Sequence, residues 1–346
     1  MSHGGDRYRN KVRLDFSVNT NPAGVYESVK QALTESIAKA EHYPDQEAQK
    51  LREDLAKVLG VDPDWIVFGN GASEILMAAV RALRPKKVLL PVPSFSGYQW
   101  AVRAEGAEIE SIAMSEDHRI TADLLDSLHK DADLLFLCNP NNPTGCYIDH
   151  DLLGRILDRC LEKGIGVILD ECFMELSDDP AGNSCIHGLK TWPNMILLRA
   201  FTKSFAIPGV RLGYMVGMDT ERNAKIRAQL PEWNLSIMAQ EAGVAALKEI
   251  GRLQESRDMI FAERKHLVDS LSGMGFACTE SNANFILVKS PVKDLYERLL
   301  EKEILIRDCS DYQGLEKGYY RIAVRPKEEN DELIRQIHEI IKEEPK

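Results

Sequence analysis

The sequence predicts an α/β protein: a mostly parallel sheet with helices on both faces, followed by a smaller α+β lobe. Three observations predict it. From Trp65 onward, short apolar runs alternate with amphipathic stretches of helical period, the pattern of strands buried on both faces. After residues 231–234 the pattern turns strongly helical to about residue 272, then mixes strands and helices to the C-terminus. With 346 residues, 44% hydrophobic and 28% charged, the chain is long enough for two lobes and ordinary for a globular protein. The expected division is an N-terminal arm and segment packing on the small domain over 1–42, a large domain over 43–235 and a small domain over 236–346.

Taken in order, residues 1–22 are polar apart from Val12, Leu14 and Phe16, and read as an arm laid on a larger body. Residues 23–40 have helical spacing. A second helix follows Pro44, with Leu51, Leu55, Val58 and Leu59 on its apolar face and Gly60 as its stop. Residues 65–69 (WIVFG) read as a strand, and a helix after them carries Ile75, Leu76, Ala79, Val80 and Leu83 on one side. KKVLLPV and DLLFLC read as the next strands, the latter ending in the turn NPNNPTG. The helix DHDLLGRILDRCLEKG places Leu152, Leu153, Ile156, Leu157, Cys160 and Leu161 in register before Gly164. IGVILD, MILLRA and LGYMVG are further strands. The C-terminal lobe contains NANFILVK, a helix, the strands ILIRDC and YYRIAVR, and a last helix with Leu333, Ile334, Ile337 and Ile341 on one face.

A net charge of −11 and a pI near 5.3 argue against nucleic acid or an anionic membrane as the main partner. Seven scattered cysteines form no CxxC pair, so neither a disulfide framework nor a metal site is expected, and a reducing cytoplasm fits. The polar N-terminus has no signal-like apolar segment, and no uncharged apolar run is long enough for a bilayer. No G-x-G-x-x-G opens a βαβ unit, which disfavours a Rossmann oxidoreductase.

Ligands of open α/β sheets bind at the carboxyl ends of strands, so the residues that end the strands are the candidates. Lys203 lies between apolar residues 196–201 and 212–217. A buried ammonium is costly without a purpose, and a desolvated lysine is a competent Schiff-base nucleophile; a surface lysine would explain the residue but not its setting. Gly71, Ala72 and Ser73 open a helix whose N–H groups can hold a phosphate, although a glycine turn before a helix is by itself only a tight turn. Asp170 ends a strand, where it can pair with a protonated pyridine nitrogen and keep the ring electron-poor; alone it reads equally as a structural acceptor. Thr202 and Arg211 flank Lys203 and add a hydroxyl and a guanidinium for the same phosphate.

The order GNGASE, NPNNPTG, LDE, FTKSF and GVRLGY resembles the fold-type I pyridoxal-phosphate (PLP) enzymes of the aspartate-aminotransferase superfamily, over nearly the whole chain. That resemblance implies a large domain with a mostly parallel seven-stranded sheet, pyridoxal 5′-phosphate as cofactor and a homodimer. It implies Lys203 as the cofactor-bearing amine, Asp170 on the ring nitrogen and Asn142 on the ring 3′-oxygen. Gly71, Ala72, Ser73, Thr202 and Arg211 would surround the phosphate, Phe95 would stack on the ring, and Tyr43 would reach the neighbouring subunit's phosphate. Arg321 would bind the substrate carboxylate, with Asn21 and Asn284 on the substrate side. Two positions depart from the family pattern. Ala200 stands where members often carry a hydroxyl, and Phe173 replaces a tyrosine donor to the 3′-oxygen used by histidinol-phosphate aminotransferases.

Within the family, HGG at the N-terminus, DFSVNTNP, Phe173 and the stretch ILIRDCSDYQGLEKGYYRIAVR are similar to threonine-phosphate decarboxylases of the cobalamin pathway. The expected reaction is therefore decarboxylation of L-threonine O-3-phosphate to (R)-1-amino-2-propanol O-2-phosphate. His3, Asn21 and Arg307 are the candidates for its phosphate, while a disordered terminal histidine accounts for His3 equally well. A histidinol-phosphate-type aminotransferase shares the same core motifs. A non-catalytic regulator of this fold would be expected to lack the lysine or to carry a DNA-binding appendage, and neither holds here.

Overall fold

The structure, a computed structural model, describes residues 4–343. Its centre is a seven-stranded sheet in the order Ile66–Asn70, Leu212–Val216, Met195–Ala200, Gly166–Asp170, Leu134–Cys138, Lys87–Val92 and Glu108–Ala113. Only Leu212–Val216 runs antiparallel to its neighbours; the other pairings are parallel. Six of these strands are the apolar runs read from the sequence. The seventh, Glu108–Ala113, escaped that reading because an edge strand has one unpaired side. Its residues EIESIA are half-exposed and show no apolar run.

Strand alternation divides the core into two layers. Leu135, Leu137, Val167, Leu169 and Leu197 face the helix His150–Lys163, whose Leu153, Ile156 and Leu157 cover them. Leu134, Phe136, Ile168, Ile196 and Leu198 face the other way, onto Ile75, Leu76 and Ala79 of the helix Ala72–Leu83 and Tyr98 of the helix Ser96–Ala104. Strands buried on both faces must be apolar throughout, which is why they were legible as continuous runs.

A third core belongs to a four-stranded antiparallel sheet in the order Arg307–Asp308, Tyr319–Ala323, Phe285–Lys289, Ala277–Cys278. Ile286, Val288, Tyr320 and Ile322 point into that core, with Leu333, Ile337 and Ile340 of the last helix, Lys327–Lys342. Phe285, Leu287 and Arg321 alternate with them on the opposite face. The run ILIRDC is two short strands rather than one. Ile304–Leu305 pairs with the arm residues Leu14–Asp15, and Arg307–Asp308 joins the four-stranded sheet.

Packing does not follow the expected boundaries at 42 and 236. The arm docks on the small lobe, where Phe16 enters the third core and accepts a backbone bond from Ala323. The helix Glu27–Ser36 instead lies against Ile237–Lys248, and both contribute to the large core. The helix Leu253–Gly273 spans the two bodies: Leu253 and Ile260 belong to the large core, Leu267 and Leu271 to the small one. One amphipathic pattern can serve two cores, so no composition shift marks the division. No helix among the described residues is long and apolar enough to cross a membrane.

Candidate active site

A cavity opens at the carboxyl ends of the parallel strands, between the large sheet and the inner face of the small one. Ala72 and Ser73 form part of its wall at the start of a helix whose first-turn N–H groups have no intrahelical partner. Gly71 precedes that helix with φ +80°, and a Cβ there would stand 2.2 Å from Arg211 Nη2. Arg211 itself has φ +59° and anchors Nη1 on the Pro208 carbonyl at 3.0 Å. A left-handed non-glycine residue is costly by about 1–2 kcal/mol, and here it delivers a guanidinium to the helix N-terminus. Thr202 adds a hydroxyl on the same wall, while Ala200, also on the wall, adds none. Positive helix end, guanidinium and hydroxyls make an anion site.

Asp170 ends its strand 7% exposed, with Oδ2 accepting from the Tyr98 hydroxyl at 2.7 Å and Oδ1 from the Cys172 N–H at 2.8 Å. Burial pushes its carboxyl up, while the Cys172 and Tyr98 bonds and the Lys203 charge pull down; the net shift is upward. A cation at this carboxylate would complete the balance. Tyr98 stacks on Phe136 at 5.1 Å and meets Phe95 edge-on at 5.5 Å, so one aromatic group supports both the acid and the cavity wall. Cys138 and Cys172 also line the cavity, and burial pushes both thiols up, which keeps them protonated and unreactive.

Lys203 stands in the short helix Phe201–Ser204. Burial, then the nearby Arg321 and Arg211, lower its pKa to about 8. Its Nζ lies 5.8 Å from the Phe173 ring centroid, and Phe173 meets Phe285 edge-on at 5.0 Å. The Arg321 guanidinium lies over the second ring of this pair, 5.5 Å from the Phe285 centroid. Its Nη1 donates to Asn142 Oδ1 at 2.5 Å and its Nη2 to the Ser17 carbonyl at 2.9 Å, while buried Nε has no partner. Arg307 is the register partner of Arg321 on the adjacent strand, lines the same cavity and donates to Asp311 at 2.7 Å.

The sequence candidates Ala72, Ser73, Phe95, Asn142, Asp170, Phe173, Thr202, Lys203, Arg211, Arg307 and Arg321 thus meet in one cavity, with Gly71 behind Arg211. Asn21 and Asn284 do not line it. The Asn21 amide donates to the Ser204 carbonyl at 2.8 Å and to Ser256 at 2.9 Å, and its backbone N–H to the Lys203 carbonyl at 2.9 Å. Asn284 donates to the Thr20 carbonyl at 3.2 Å. Both hold the chain around the site rather than facing it. Tyr43 is 80% exposed against Trp233, outside its own chain's cavity. His3 lies outside the described residues, although Gly4 is on the cavity wall.

Asn19 and Tyr98 are among the wall residues that the sequence reading passed over. Asn19 is 2% exposed, and neither polar atom of its side chain has a partner, an arrangement expected of a group that waits for a ligand. Its signal was present in DFSVNTNP, but the reading took the second asparagine of the pair. Tyr98 was signalled only by its i,i+3 relation to Phe95. The donor set fits pyridoxal 5′-phosphate: an anion cradle, a buried carboxylate for the ring nitrogen, an amide, an aromatic wall and an amine that deprotonates readily.

The sequence matches the aminotransferase class I and II family over residues 11–337. Among curated proteins it is 35% identical to threonine-phosphate decarboxylase of Salmonella typhimurium, over 95% of this chain and 91% of that one. It is 33% identical to histidinol-phosphate aminotransferase 2 of Archaeoglobus fulgidus, over 96% and 94%. The crystal structure of histidinol-phosphate aminotransferase from Clostridium acetobutylicum superposes with a TM-score of 0.90 at 32% identity, covering 95% of this chain and 99% of the other.

Proposed function

We propose, for a chain that belongs to the class I and II aminotransferase family, decarboxylation of L-threonine O-3-phosphate to CO2 and (R)-1-amino-2-propanol O-2-phosphate, a cobalamin side-chain precursor. The family is one of PLP-dependent enzymes, and pyridoxal 5′-phosphate is the cofactor of this chain. The observation that carries the substrate assignment is the pair Arg307 and Arg321. They are direct cross-strand partners on one face of a sheet, and both line the cavity. Asp311 balances part of the Arg307 charge, while Arg321 donates to the neutral Asn142 amide and Ser17 carbonyl. Such a pair suits a ligand with two anionic groups, and Arg211 already serves the cofactor phosphate. A phosphorylated amino acid carries a carboxylate and a phosphate in one molecule; histidinol phosphate carries only the phosphate, and the rival reading uses the pair for the two carboxylates of glutamate.

In this reading Arg321 holds the substrate carboxylate, Arg307 and Asn19 take the phosphate ester, and Asp170 pairs with the ring nitrogen of the cofactor. Bound PLP supplies an electron sink for the pair left at Cα when a bond to it breaks. The direction in which Arg321 holds the carboxylate would decide whether the carboxylate or the hydrogen on Cα is the group presented for cleavage. Lys203, with its pKa lowered to about 8, is suited to hold or return a proton near neutrality. The two-subunit reading adds Tyr43 to the partner's phosphate site, consistent with its exposure outside its own cavity.

The second reading, a histidinol-phosphate-type aminotransferase, is favoured by the 33% and 32% identical relatives. Incubation with L-threonine O-3-phosphate, and separately with histidinol phosphate plus 2-oxoglutarate, separates the two. Release of CO2 with no keto-acid requirement is expected. Glutamate formation from histidinol phosphate and 2-oxoglutarate, without CO2 release from threonine phosphate, would overturn the decarboxylase assignment.

A further inference from the structure

Outside the cavity wall, beside Lys203 in the chain, lies a partly buried polar cluster that the chemistry above does not use. Glu175, in the short turn Met174–Leu176, accepts a hydrogen bond from the Ser204 hydroxyl on Oε2. The Tyr214 hydroxyl donates to its Oε1 at 3.4 Å, and Arg199 Nη1 lies 3.7 Å from the same oxygen. Arg257 closes the group from the helix Leu253–Gly273 by donating to the Glu175 carbonyl at 3.1 Å. Arg199 has its own closer partner in Glu171, at 2.6 Å, and Glu171 is held further by Ser184 and the Cys185 N–H. Burial alone would lower the Arg199 pKa; Glu171, Tyr214 and Glu175 outweigh it and hold the guanidinium charged. Glu171 is thus the main partner of Arg199, and the closest contact of the Glu175 carboxylate is the Ser204 hydroxyl.

Ser204 is 1% exposed and follows Lys203 directly. The backbone of the same turn is held from the other side by Asn21, through the Lys203 and Ser204 carbonyls. Glu175 in turn belongs to the segment that begins at Asp170 and carries Phe173 over the lysine amine. The bond between Glu175 and Ser204 thus ties the turn bearing the amine to the segment bearing the ring acid.

We propose that Glu175, acting through Ser204, is a positioning residue for Lys203: it fixes the lysine turn in register with the Asp170 segment and so sets the direction of the amine toward the cofactor. Around that amine stand Arg321, Arg211, Asp170 and Cys172, with the Phe173 ring beside it. A small rotation of the turn changes its distance to each of them. The inference rests on the cofactor and not on the choice of substrate.

The test is the pH midpoint of the cofactor's visible absorbance in the substrate-free holoenzyme, measured beside the thermal midpoint for Glu175→Ala, Ser204→Ala, the double variant and Glu175→Gln. Glu175→Ala and Ser204→Ala are each expected to move the absorbance midpoint by about half a pH unit or more in the same direction. The double variant should move it no further than either single one, because both remove the same bond. Glu175→Gln keeps an oxygen acceptor for the hydroxyl and should stay near the wild-type midpoint. Additive shifts in the double variant, or a Glu175→Gln shift as large as that of Glu175→Ala, would overturn the proposal. So would a lowered thermal midpoint with an unmoved absorbance midpoint, since that is the signature of a purely structural bond. Failure of the decarboxylation reading would leave these spectra untouched.

Discussion

Lys203 is placed where two guanidinium groups and the protein interior all disfavour its charge. Its pKa of about 8 lies well below the ordinary lysine value of about 10.4. The neutral amine is the form that attacks a carbonyl, so the rate of PLP binding to cofactor-free protein is expected to rise through pH 8 and level off above it. The measurement is the growth of cofactor absorbance at a series of pH values; a rate still climbing steeply near pH 10 would show an unperturbed lysine. Stability has a matching sign. The unfolded chain binds more protons at this residue between about pH 8 and 10.4, so its penalty on the cofactor-free fold is full below that window and fades as pH rises through it. The lysine and its aspartate were legible in the sequence because Asp170 ends an apolar strand and Lys203 lies in the short turn directly after another. Asn19, Tyr98 and Glu175 were not, since an asparagine, a tyrosine on a helix and an exposed-looking glutamate carry no local signal of burial.

At the scale of elements, the phosphate cradle depends on how closely the strand Leu212–Val216 approaches the helix Ala72–Leu83. Gly213 is the contact. A Cβ at this position would lie 2.3 Å from the Ala72 nitrogen and 2.6 Å from the Gly71 carbonyl carbon, both backbone atoms that cannot swing aside. Gly213→Ala is therefore expected to push the helix start away from Arg211 and weaken PLP binding by at least about tenfold, or about 1.4 kcal/mol. Titration of the variant with PLP, followed by absorbance, checks this, and a wild-type affinity would show that the cradle tolerates the displacement. The antiparallel insertion of Leu212–Val216 beside Ile66–Asn70 creates this approach. The sequence shows a glycine in GVRLGY, but strand order is what sets it against residue 72.

At the scale of the whole molecule, the site is assembled from both lobes and, in the two-subunit reading, from a partner. Arg321 comes from the small sheet and donates to Asn142 in the loop after the large-sheet strand Leu134–Cys138, so one hydrogen bond joins the two lobes at the cavity. Tyr43 is 80% exposed and does not line the cavity of its own chain. Subunit complementation tests its place: Lys203→Ala abolishes one site, and Tyr43→Ala impairs the site of the other subunit. A mixture refolded together is expected to regain activity that neither variant has alone, because each mixed dimer contains one site with both residues intact. No recovery in a confirmed mixed dimer would remove Tyr43 from the partner's site.

The sequence by itself determined the layered α/β architecture, the strand ends that bear Asp170 and Lys203, and the PLP chemistry they serve. These are local facts: an apolar run, its last residue and the turn that follows are adjacent in the chain. Tertiary structure alone decided that Arg307 faces Arg321, that Asn19 rather than Asn21 looks into the cavity, and that Glu175 stands behind Ser204. Each of those depends on a strand register, a backbone direction after a docked arm, or a hydrogen bond between segments distant in the chain. Such relations arise only when the elements are packed against one another, and hydrophobic periodicity contains no record of them.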